Sequence, residues 1–113
     1  FDFYKKAFAD IADIHMMPID RDSVCNCWLT CITLTGEKVK SLDILLALEK
    51  ENIESRLIWK PLHLQPVFEG CDYIDNGHIA EKIFDSGVCL PSDTKMTDED
   101  LQRVASIVRN LWK

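Results

Sequence analysis

Phe1, Tyr4, Phe8 and Ile11 recur at helical spacing, with Asp2, Lys5, Lys6 and Asp10 between them. The pattern predicts an amphipathic helix of about three turns, ended before Pro18. So heavy an aromatic stripe at the start of so small a domain points to packing against something outside the chain. Cys25 to Leu34 is rich in apolar and β-branched residues and reads as a strand. Alternation puts Cys25, Cys27, Leu29 and Cys31 on one face, suited to packing under a helix. Asn26, Trp28, Thr30 and Ile32 fall on the other, which is large and partly polar, as where a sheet meets another domain.

Thr35-Gly36-Glu37 supplies a turn, and Ser41 is the expected N-cap of a helix over 42–51 that buries Leu45 and Leu48. Asn52 suits the left-handed position that ends such a helix. Residues 53–59 read as a second strand. Pro61 and Pro66 then make 60–66 a constrained, extended loop. A short helix is expected over 78–85, with Ile79, Ile83 and Phe84 inward and Gly87 at its end, followed by a short buried strand, Val88 to Leu90. The last helix opens on Thr97-Asp98-Glu99-Asp100, a capping-box pattern with acidic residues at the positive end of the helix dipole. Leu101, Val104, Ala105, Val108, Leu111 and Trp112 follow at i, i+3, i+4, i+7 spacing. The order is helix, strand, helix, strand, loop, helix, strand, helix, and the expected fold is α+β: a small three-stranded sheet with helices packed on one face.

Composition narrows the function classes. The chain has 113 residues, 47% of them hydrophobic and 28% charged, which is one ordinary globular domain. A net charge of −6 and scattered basic residues disfavour nucleic acid and anionic membrane as partners. No stretch approaches the ~20 apolar residues of a membrane-spanning helix, and the FDFYKK opening is not a signal peptide. The chain begins on Phe1 rather than methionine, as a processed chain or a fragment would.

The five cysteines, Cys25, Cys27, Cys31, Cys71 and Cys89, are an odd set without the spacing of a secreted framework, and read as reduced cytosolic thiols. C-x-C-x3-C within a strand fits a structural zinc site poorly, even with Cys71 and His63 added. A nucleophilic thiol paired with His15, His63 or His78 would need a positive environment that nothing supplies.

The segment 54–68 is different. Arg56, Trp59, Lys60, His63 and Gln65 crowd a stretch stiffened by two prolines, where small polar turn residues are usual. A guanidinium and an ammonium suit phosphate or carboxylate, and an indole suits a ring. The alternative is a plain surface loop with Trp59 folded into the core. No glycine-rich phosphate loop, dinucleotide fingerprint or catalytic triad occurs, so the residues alone yield a candidate binding edge and no complete catalytic site.

The strings NIESRLIWKPLHLQPVF at 52–68 and AEKIFDSGVCLPSDTKMTDEDLQRV at 80–104 resemble the carboxy-terminal region of the DegT/DnrJ/StrS-type sugar aminotransferases. NCWLT at 26–30 and the helix before it sit where that family has them, so the resemblance covers nearly the whole chain. Leu57 stands where relatives often have proline. The resemblance implies the small domain of a fold type I, pyridoxal-phosphate-dependent enzyme. Residues 1–20 would be the connector from a missing N-terminal large domain, and 21–113 the C-terminal small domain. It further implies a cytoplasmic homodimer that moves an amino group from glutamate to a nucleotide-linked keto-deoxy sugar for bacterial surface glycans. The Schiff-base lysine, ring carboxylate and phosphate-binding residues of that family lie upstream, so no catalytic or cofactor-binding residue carries over. No cofactor or metal is expected on this chain alone, which should be inactive. What carries over is the substrate-side edge of Arg56, Trp59, Lys60, His63 and Gln65. A free-standing, non-enzymatic α+β module for ligand binding or dimerisation is the rival reading.

Overall fold

The computed structural model describes residues 1–113. Four antiparallel strands form one sheet in the order β1-β2-β4-β3: β1 Ile14–Met16, β2 Thr30–Leu34, β3 Arg56–Leu57 and β4 Gly87–Leu90. The helices are α1 Asp2–Ala7, α2 Ser41–Lys50, α3 Ile79–Ser86 and α4 Asp98–Asn110. The class is α+β as expected, with four strands instead of three. The extra strand is β1, only three residues long (Ile-His-Met), too short for alternation to announce it. It is held by its register against β2, with Ile14 opposite Leu34 and Met16 opposite Ile32.

The register decides which side chains enter the core. Thr30, Ile32 and Leu34 of β2 are buried, and they share a face with Val88 and Leu90 of β4, since antiparallel partners point the same way. Against this face lie Tyr4 of α1, Ile44 and Leu48 of α2, and Val104, Ala105 and Val108 of α4. The expected facing of β2 is therefore inverted. Thr30 and Ile32 go under the helices, and Cys31 takes the opposite face. The strand also starts five residues later than expected, because Cys27 adopts a positive φ of 50° and breaks the extended run.

Two further expectations are corrected. The aromatic stripe of α1 does not look outside the chain: Tyr4 and Phe8 are buried in its own core, stacked with centroids 5.9 Å apart, and α1 is six residues long. Ser41 is the first residue of α2, not its cap. Its buried hydroxyl donates to the Asp85 carbonyl at 2.8 Å, while the Lys40 N–H preceding it is met by Asp43 Oδ2 at 2.8 Å. Gly87 ends α3 as expected, as its C-cap. Its φ is −100°, it opens β4, and a side chain there would collide with Ile58 and the Ile83 carbonyl. Asn52 does adopt the left-handed conformation, φ 59°, and Thr97 and Asp100 form the reciprocal capping box of α4.

Ile79 and Ile83 were expected to point inward, yet they are 57% and 41% exposed. Phe84, the third residue of that side, is half-buried, so the apolar side of α3 is covered only in part.

Candidate functional site

The far face of the sheet and the proline-stiffened loop after β3 carry the polar residues singled out above. Arg56 pairs with Cys89 in the β3–β4 register, so its side chain shares the Cys31/Cys89 face, away from α1, α2 and α4. It is exposed, and its guanidinium donates from Nε and Nη2 to Glu54 Oε1 at 2.9 and 2.6 Å. A pair so open to water contributes little to stability, so the guanidinium is free to exchange partners.

Trp59 is 65% exposed, which sets aside the alternative of a core tryptophan. It lies beside Trp28, itself 71% exposed, with ring centroids 6.4 Å apart and planes tilted by 46°. Trp28 is aimed by its own loop. Left-handed Cys27 turns the chain, Asn26 Oδ1 accepts from the Trp28 N–H at 3.1 Å, and Ser92 Oγ donates to the Trp28 carbonyl at 2.9 Å. A cleft of about 920 Å³ runs from Trp28 and Arg56 to the first half of α4, lined among others by Asn26, Ser92, Asp100 and Arg103; of the five candidates only Arg56 lines it. Sequence reasoning placed Trp28 on a strand face turned toward a large domain. Its partnership with Trp59 rests on a contact between residues 31 positions apart, which no local pattern encodes.

The other three candidates behave differently. Lys60 is exposed, and its carbonyl accepts from Gln65 Nε2 at 3.0 Å, so Gln65 braces its own loop. His63 is held on two sides: Nε2 donates to Glu81 Oε1 at 2.8 Å, and the ring stacks on Tyr73 with centroids 3.6 Å apart. Its side chain is only 17% exposed. The structure thus separates the five residues into an outward set, Arg56, Trp59 and Lys60, and an inward set, His63 and Gln65, that stiffens the loop. Glu81 and Tyr73, which hold His63, were missed. They lie 18 and 10 residues away, in a helix and an irregular segment that carry no motif. Glu81 is held below the usual carboxylate range by backbone hydrogen bonding at its own N–H and by bonds from His63 and His78.

The family model for the DegT/DnrJ/EryC1/StrS aminotransferases matches residues 1–109. The chain belongs to this family. EpsN of Bacillus subtilis (strain 168), named as a pyridoxal phosphate-dependent aminotransferase, is 38% identical over 112 residues, covering 96% of this chain and 29% of EpsN. The fold matches Helicobacter pylori PseC, an aminotransferase of pseudoaminic acid biosynthesis, with a TM-score of 0.79 and 21% identity over 96% of this chain and 30% of PseC. It matches DesI, solved in the presence of its TDP-sugar product, with a TM-score of 0.81 and 21% identity over 96% of this chain and 28% of DesI. This DegT-family chain therefore spans under a third of the length of these relatives.

The residues present do not form a pyridoxal phosphate site. Every lysine of the chain is exposed, so none is held in the desolvated setting that activates a cofactor-bearing lysine.

Proposed function

We propose that the chain is the carboxy-terminal small domain of a cytoplasmic, homodimeric aminotransferase that transfers an amino group from glutamate to a nucleotide-linked keto-deoxy sugar in bacterial surface-glycan synthesis. The family match along residues 1–109, with EpsN at 38% identity, carries this reading. Pyridoxal phosphate would supply the electron sink, held by parts of the enzyme outside these residues. This chain's task is positioning. Residues 1–20 would lead in from the large domain, and 21–113 would present the edge. Arg56 and Lys60 offer charge to a phosphate or carboxylate, and Trp59 offers a ring face, with Trp28 beside it. His63 and Gln65 act through the loop by keeping it stiff, so that Trp59 needs no ordering when substrate arrives.

The exposed Trp28, Trp59, Ile79 and Ile83 fit a surface that other parts of the enzyme cover. One observation favours a purely structural reading: His63, the most firmly held polar side chain of the loop, spends its bonds inside the domain.

Steady-state kinetics of the full-length enzyme separate the two. Trp59→Ala and Arg56→Ala should raise KM for the nucleotide sugar or for glutamate by about fivefold or more, the lower end of a lost ring-stacking contact, with a smaller change in kcat. Unchanged constants for both substrates, with intact folding, would put the edge outside the substrate site.

A further inference from the structure

The far face of the sheet carries two thiols that the substrate edge does not use. Cys31 of β2 stands directly opposite Cys89 of β4, and their sulfurs are 3.6 Å apart. The backbone fixes this approach. The Cys31 carbonyl accepts from the Met17 N–H at 2.9 Å, and the Gly87 carbonyl, two residues before Cys89, accepts from the Ile58 N–H at 3.4 Å. At these positions β2 and β4 turn their polar groups away from each other. Cys31 and Cys89 therefore meet as a non-hydrogen-bonded pair, in which Cα atoms approach to about 4.5 Å and side chains lie closest. That separation is at the short end of the span a disulfide bridges.

Access differs between the two. Cys31 is half-buried, on the face turned away from α1, α2 and α4, whereas Cys89 is 7% exposed and lines the cleft with Arg56. Arg56 is the β3 register partner of Cys89, so a guanidinium and two sulfurs run in one row across three neighbouring strands. The guanidinium opposes the upward push of burial on the Cys89 thiol.

We propose that Cys31 and Cys89 are a peroxide-responsive thiol pair that closes to a disulfide. Cys31, the more open, reacts first. Its sulfur attacks one oxygen of hydrogen peroxide, the O–O bond breaks, and the thiol proton leaves with the other oxygen as water. The Cys89 sulfur then attacks the sulfenic sulfur of Cys31, the S–O bond breaks, and the departing hydroxide takes the Cys89 proton as a second water. The two thiols lose two electrons and the peroxide gains them. Two equivalents of a small thiol such as glutathione reopen the bridge by exchange and are oxidised to their own disulfide. Closed, the bridge ties β2 to β4 in the middle of the sheet, beside Arg56.

The test is thiol mapping of the full-length enzyme after a few equivalents of hydrogen peroxide, with free thiols blocked and peptides read by mass spectrometry. The expected result is equal loss of free Cys31 and free Cys89, a linked Cys31–Cys89 peptide, and recovery of both thiols with dithiothreitol. In Cys89→Ala the sulfenic acid on Cys31 should persist and be trapped by dimedone. With Cys25, Cys27 and Cys71 replaced together by serine, the bridge should form unchanged. Mapping of the unaltered enzyme needs no variant, so it decides even where Cys89→Ala fails to fold. Cys31 and Cys89 still free once Cys71 is oxidised, Cys31 joined to another cysteine, Cys31 carried on to sulfinic acid beside a free Cys89, or a folded Cys89→Ala without the dimedone adduct would each overturn the proposal.

Discussion

Asp10 and Arg109, 99 residues apart, meet in a two-pronged ion pair: Nη1 reaches Oδ1 at 2.6 Å and Nη2 reaches Oδ2 at 2.7 Å. The same guanidinium donates to the Ala7 carbonyl at the end of α1. The final turn of α4 therefore clamps the amino-terminal segment onto the domain. The Arg109 hydrogen bond is the main reason that the Asp10 carboxyl is held down to about 2, from an ordinary 3.8. A carboxyl lowered on folding contributes stability that is complete above its unfolded value and is lost as pH falls through the folded one. Asp10→Asn should thus be less stable than the parent at pH 5 to 7 (roughly the plateau), with the gap narrowing below about pH 4 and closing near 2. Denaturant unfolding of the two chains across that range is the measurement. A gap independent of pH would mean that the pair does not titrate as described.

The clamp also marks where sequence reasoning reached and where it stopped. Elements defined by their own residues were legible: the capping box at Thr97, the periodic face of α4, and the left-handed Asn52 after α2. Elements defined by distant partners were not. Strand β1 exists through its pairing with β2, and the facing of Thr30 and Ile32 follows from register against β4, which one strand's alternation leaves free to choose either way. The aromatic stripe of α1 was read correctly as apolar, and its destination was misjudged because α4 lies a hundred residues on. In the candidate edge, Arg56, Trp59 and Lys60 are exposed as a recognition loop requires. The fixing of His63 by Glu81 and Tyr73 is a tertiary fact with no local signature.

Tyr4 is fully buried, yet its hydroxyl has a partner: it donates to the Pro91 carbonyl at 2.9 Å, joining α1 to the segment after β4. Burial raises its pKa, so the hydroxyl stays protonated and available as a donor. Tyr4→Phe keeps the ring and strands the carbonyl, which should cost about 1–2 kcal/mol. Tyr4→Ala also removes the ring that stacks on Phe8 and should cost about 3–5 kcal/mol. Equilibrium unfolding gives both values. Equal losses for the two variants would show that the ring contributes nothing and refute its place in the core.

Cys31 and Cys89 face each other across β2 and β4, with sulfurs 3.6 Å apart. Burial first, then hydrogen bonding to Cys31, pushes the Cys89 thiol up to about 12. The thiolate is the nucleophile, so Cys89 should be the slowest of the five to react with iodoacetamide near pH 8 (roughly), well behind exposed Cys25 and Cys71. Peptide mapping by mass spectrometry after timed quenching reads the order directly. Labelling of Cys89 as fast as Cys71 would require that the β2–β4 pair opens readily.

Trp28 and Trp59 stand in water, whereas Trp112 is partly buried and donates from Nε1 to Asp13 Oδ2 at 3.1 Å. The emission of the 113-residue chain should therefore be dominated by solvent-exposed indoles and be readily quenched by acrylamide. Replacing both Trp28 and Trp59 by phenylalanine leaves Trp112 alone, and the spectrum should move to the blue and lose most of its quenching. In the full-length enzyme the reading changes. If the Trp28–Trp59 face meets the large domain or the partner subunit, single-tryptophan variants reporting on residues 28 and 59 will be shielded there and open in the isolated chain. Shielding that appears only when nucleotide sugar is added would instead assign the pair to the substrate. Indoles equally open in all three states would leave this face with neither role, and would count against the substrate edge proposed above.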